Sequence, residues 1–159
     1  MAFDAFLKLD ALPGESKDNR HRDEIDIESF SWGLSNPASL AGGGTGTGKA
    51  SFQDLSFMSN THKSSPLIML ACASGKHIPK AVLSVRKAGG SSFDYITITL
   101  ENVLISSYQE AGDTGGDAVA EAVSLNFAKI EFEYTQQSAD GKPGTVTNAG
   151  WDLATNKKV

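Results

Sequence analysis

Cysteine is almost missing from this chain: Cys72 stands alone among 159 residues. A single thiol forms no internal disulfide, and it cannot supply the paired cysteines of a zinc ribbon or a dithiol redox site. Folding in a cytoplasm follows as the expectation. Also missing is any apolar run long enough to cross a bilayer. Residues 1–10 mix apolar side chains with Asp4, Lys8 and Asp10, so the basic start and apolar stretch of a secretory signal are not seen, and export would need a route that reads the folded protein. Clustered positive charge is scarce too. The net charge is −5 and the longest basic grouping is Asn156-Lys157-Lys158-Val159, which excludes nucleic acid as a natural partner.

What is present is an ordinary globular composition, 40% hydrophobic and 21% charged, read as one domain over residues 1–159. Period-two alternation of apolar and polar residues predicts strands at 3–9, 24–32, 50–58, 81–87, 95–107, 123–136 and 150–153. In two of them the apolar parity changes midway. Ile25 and Ile27 give way to Phe30 and Trp32, and Val123, Leu125 and Phe127 give way to Ile130, Phe132 and Tyr134. An inserted residue, a β-bulge, changes parity in this way and curves a sheet. The expected fold is therefore mainly β, a bulged antiparallel barrel that is closed or nearly so, with one short α-helix. That helix is expected from Ser65 as N-cap and Pro66 at the first helical position through 67–74, with Gly75 as a left-handed C-cap, plugging one barrel end. Residues 13–22, 36–49, 112–117 and 138–144 read as loops.

Each candidate for chemistry has a plainer explanation. Gly43-Gly44-Thr45-Gly46-Thr47-Gly48-Lys49-Ala50 matches the phosphate-binding pattern G-x-x-x-x-G-K, but Ala50 lacks the hydroxyl that would hold magnesium. The residues after it alternate like a strand, whereas phosphate needs a helix N-terminus there. Glu24, Asp26 and Glu28 share one strand face with nothing to set their acidities apart, so they read as solvated or as salt-bridging partners of another subunit. His21, His62 and His77 lack the close spacing of metal pairs, and Cys72 sits in an apolar helix segment with no catalytic signature. No cofactor or metal is expected. Ser29 and Ser31 point away from Phe30 and Trp32 and leave a smooth polar strand face, either solvent-facing or lining a cavity or partner contact.

Several ordered segments together resemble the haemolysin-coregulated protein (Hcp) family, which forms the inner tube of bacterial type VI secretion systems. They are Gly14-Glu15-Ser16-Lys17-Asp18, Ser31-Trp32-Gly33, Gln53-Asp54-Leu55-Ser56-Phe57, Lys63-Ser64-Ser65-Pro66, Leu70-Ala71-Cys72-Ala73-Ser74-Gly75-Lys76-His77, Arg86-Lys87-Ala88-Gly89-Gly90, Leu125-Asn126-Phe127-Ala128 and Gly150-Trp151-Asp152-Leu153. The resemblance spans nearly the whole chain. It implies a hexameric ring, stacking of rings into a tube inside a contractile sheath and beneath a VgrG-type spike, and secretion from the cytoplasm to the outside without a signal peptide. It also implies carriage of effector proteins in the ring lumen. By position, Ser31, with Ser29 beside it, is similar to a lumen-facing, effector-binding residue. Gly42, Gly43, Gly44, Thr45, Gly46, Thr47, Gly48 and Lys49 resemble the family's extended loop between subunits or rings. With no extension seen after Val159, the chain resembles the plain tube subunit, not a toxin fusion.

Two readings of other classes compete: a phosphate-binding enzyme using residues 43–49, and a monomeric β-barrel or sandwich that binds glycans or peptides. The latter would present exposed aromatics. Trp32 and Trp151 both sit in strand patterns that suggest burial.

Overall fold

Period-two alternation builds most of the molecule. The structure, a computed structural model, describes residues 3–37, 49–87 and 93–159. In chain order its elements are β1 (Phe3–Leu9), β2 (Ile25–Ile27), β3 (Ser29–Ser31), β4 (Leu34–Ser35), β5 (Ser51–Phe52), β6 (Leu55–Asn60), α1 (Ser65–Ser74), β7 (His77–Lys87), β8 (Ile96–Ala111), β9 (Ala120–Gln137), β10 (Pro143–Asp152) and β11 (Lys157–Lys158). Every ladder is antiparallel. The main sheet runs β11-β10-β9-β8-β7-β1-β2, with β6 joining β9 to β3, while β4 and β5 pair separately. One edge of the long β9 is shared: β10 takes residues 129–137 and β6 takes 120–125.

The alternating apolar sets meet in one core. Leu7, Ile25, Leu55, Phe57, Ile68, Leu83, Ile98, Leu100, Ile105 and Leu125 are fully buried, each contributing roughly 1.5–3 kcal/mol. The expected closed barrel is not completed by hydrogen bonds: among the described residues no ladder joins β2 to β6. One run of chain bridges that gap by changing partners. It pairs with β1 through Ile27 and with β6 from Ser29, and between them the Glu28 N–H donates to the Met58 carbonyl at 2.8 Å. The parity change expected here is thus a handover between two ladders, with no bulge inside either.

The second expected bulge is also replaced by something else. Along β9 the buried positions do change parity, from Phe127 to Ile130, but so do those of β8 (Leu100 to Val103) and β7 (Ile78 to Ala81). The register does not slip there, since Glu101 faces Lys129 and Val103 faces Phe127. Three neighbouring strands change face along one line, marked by Asn102 in the left-handed region at φ 52°. Register slips lie elsewhere, between Ile105 and Ser107 of β8 and between Pro143 and Val146 of β10.

Helix α1 starts one residue earlier than expected, with Ser64 at its N-cap position and Pro66 in its first turn. Gly75 adopts φ 67° and ends it through N–H bonds to the last-turn carbonyls, a conformation that suits glycine. The helix buries Ile68 and Ala71 and packs on β8, while Leu67, Met69 and Leu70 face outward. The short strand expected at 150–153 proves to be the end of β10, which begins at Pro143 after a turn containing Gly141 at φ 81°.

Candidate functional site

Directly opposed residues in an antiparallel ladder point to the same face, so the registers of β3, β6, β9 and β8 assemble two rows across four strands. One is Ser31–Ser56–Ser124–Ser107; the next is Ser29–Met58–Ala122–Gln109. Phe57 and Val123, between the rows, point inward and are buried. The Oγ atoms of Ser56 and Ser124 lie 3.0 Å apart, linking the middle strands. Together the rows floor a shallow depression of about 480 Å³. None of the eight side chains is charged. At one end Asp54 is held in place, its carboxylate accepting from Ser106 Oγ at 2.5 Å and Asn126 Nδ2 at 3.0 Å.

The face ends in free strands at both sides. β3 has β6 as its ladder partner and no other among the described residues, and beyond Leu104 β8 has β9 alone.

Behind the face lies a buried polar cluster. Glu121 of β9 is 1% exposed; it accepts from Ser59 Oγ at 2.9 Å and lies 2.9 Å from His62 Nε2. The Ser64 amide donates to His62 Nδ1 at 3.2 Å, which leaves Nε2 to carry the proton toward Glu121. Burial pushes the Glu121 carboxyl up, but the polar side chains of His62, Ser65 and Ser59 around it outweigh that and hold it below its ordinary value. Burial and then the Glu121 charge push the Tyr108 hydroxyl up to about 12, so it stays protonated and donates to Glu110 at 3.2 Å. The cluster ties the start of α1 to β6 and β9, and so stiffens the face from below.

Of the residues selected from sequence, Ser29 and Ser31 both lie on this face, exposed. Lys49 is exposed just before β5, so the glycine-rich segment enters a strand. Gly42, Gly43, Gly44, Thr45, Gly46, Thr47 and Gly48 lie outside the described residues. Flanking that segment, an apolar groove of about 600 Å³ is lined by Trp32, Leu34, Phe52, Phe132 and Trp151. Its two tryptophans are half-buried, packed against the core. The three histidines are committed to separate contacts: His21 to Glu24 and Asp94, His62 to Glu121, and His77 to Asn102. Glu24 is thereby drawn away from Asp26 and Glu28. Sequence reasoning missed Ser56, Met58, Ala122, Ser124, Ser107 and Gln109. The outward parity of strands already identified would have found Ser56, Met58 and Ser124; Ala122 and Gln109 lie beyond the expected strand bounds, and the slip at Ser106 hides Ser107.

Comparison with known proteins bears on this arrangement. Residues 6–134 match the family model described as type VI secretion system effector, Hcp. The chain is 47% identical over 159 residues to protein Hcp1 of Pseudomonas aeruginosa, covering 98% of each. Among solved structures it is similar to Hcp1 from Salmonella typhimurium (35% identity, all of both chains, TM-score 0.85). It is also similar to a type VI secretion system effector from Yersinia pestis (29% identity, 94% of this chain and 99% of that one, TM-score 0.78).

Proposed function

The chain belongs to the Hcp family of type VI secretion proteins, and from that premise we propose that it is a non-catalytic tube subunit, one domain over residues 1–159, that closes into a hexameric ring. The observation that carries this reading is the four-stranded face, its two rows without a charged side chain, with a free strand at either side. A strand edge left open is an invitation to another chain, and edges on opposite sides of one face suit head-to-tail contacts that close into a ring. The apolar groove around Trp32 and Trp151 takes in Asn36 and Ala50, one on each side of the glycine-rich segment in the chain, which supports a role for residues 42–49 in contacts between subunits or rings. In the same reading the serine rows line the lumen, Ser31 and Ser29 touch effector cargo, and stacked rings meet the spike and the sheath. The protein then leaves the cell with the tube.

Light scattering at high protein concentration tests the assembly. About six copies are expected. A strictly monomeric mass would sink the reading in favour of a monomeric glycan- or peptide-binding module.

A further inference from the structure

Met58 stands out on the serine face. It is 46% exposed, opposite Ser29 on one side and Ala122 on the other, and Ser31, Ser56 and Ser124 make up the adjoining row. An exposed thioether among small neighbours is free to change rotamer, and methionine is soft, unbranched and suited to irregular apolar partners. The other seven positions of the two rows hold no charge. A charged surface laid on them would lose water without gaining a counter-charge, a cost that a neutral surface escapes.

We propose that Met58 is the apolar anchor of a docking surface for a folded partner whose contact patch is uncharged and offers an aliphatic or aromatic side chain, the surrounding hydroxyls pairing with that patch's polar groups. This rests on the lumen reading above and names the chemistry of the cargo. Selection then works by exclusion, with charged surfaces rejected and neutral ones held through one adaptable contact per subunit.

The protein carries its own control. Met69 on α1 is 49% exposed and faces solvent away from the serine rows. With the methionine methyl groups labelled with carbon-13, the assembled protein is titrated with the uncharged peptide acetyl-Gly-Ser-Leu-Phe-Ser-Gly-amide, and with a version carrying glutamates in place of its Leu and Phe. The neutral peptide should move the Met58 methyl resonance and leave Met69 in place; the acidic one should move neither. Met58→Leu should keep the affinity within about twofold, and Met58→Lys should weaken it by about tenfold or more. A still Met58, a Met69 that moves equally, or undiminished binding by Met58→Lys overturns the proposal. So does a Met58 shift that follows protein concentration alone, because a second copy would then occupy the face. Light scattering on the same samples separates the two readings. A ring without a Met58 response defeats the anchor alone, and a monomer with one defeats the tube alone.

Discussion

Glu121 and Asp18 show how single carboxylates hold this fold in place. Glu121 lies under the serine face with His62 and Ser59, and removing one partner of a buried pair strands the other in a dry interior. His62→Ala should therefore destabilise the fold by about 3–5 kcal/mol, read from the chemical denaturation midpoint. Asp18 works at the surface. Hydrogen bonding from Arg86 of β7, 2.5 Å away, draws its carboxyl down to about 2 and pins residues 13–24 against the sheet, where His21 stacks on Phe6 of β1. Both carboxyls are lowered on folding. The Glu121 contribution is whole above 4.5 and is lost as pH falls below it; that of Asp18 is whole above 3.8 and drains away as pH falls through about 2. Thermal unfolding from pH 6 down to pH 2 should show this loss, and Asp18→Asn should make it shallower. Neither partnership was legible in the sequence, because His62 and Glu121, like Asp18 and Arg86, meet only through the pairing of distant strands.

At the scale of elements, local chemistry was readable and line-up across strands was not. β1 follows directly from Phe3, Ala5, Leu7 and Leu9, and α1 from Pro66 and Gly75, since each signal lies within its own segment. The face change at Asn102 needs three strands side by side to be seen. Asparagine tolerates the left-handed region there, whereas a β-branched side chain crowds the backbone. Asn102→Val should cost about 1–2 kcal/mol by thermal unfolding, and Asn102→Gly less. At Gly14 the constraint is space, as a Cβ would lie 2.4 Å from the Glu24 carbonyl oxygen. Gly14→Ala should cost about 1–3 kcal/mol. Its loss should exceed that of an alanine at Gly75, where a Cβ meets nothing within 4 Å and left-handed strain acts alone.

For the whole molecule, the separation of assembly from cargo contact is the point to test. Ser31→Glu lies in the outward serine row, away from the apolar groove, so the ring mass should stay unchanged while binding of the neutral peptide falls by about tenfold. An equal fall in both would place Ser31 at the contact between copies. The outward alternation of Ser29 and Ser31 was visible in sequence, but their continuation through Ser56, Ser124 and Ser107 depends on β6 reaching β9 across some sixty residues of chain.

The absence of charge on those rows also sets how binding there responds to ionic strength. With Asp54 at one end as the charge beside the two rows, partner retention should change by no more than about twofold between 50 mM and 500 mM sodium chloride, and capture should proceed near the slow rate of neutral surfaces, about 10⁵–10⁶ M⁻¹s⁻¹. Whatever the face holds, it holds without attracting it from afar, so occupancy is governed by how much partner is made nearby and how long it stays.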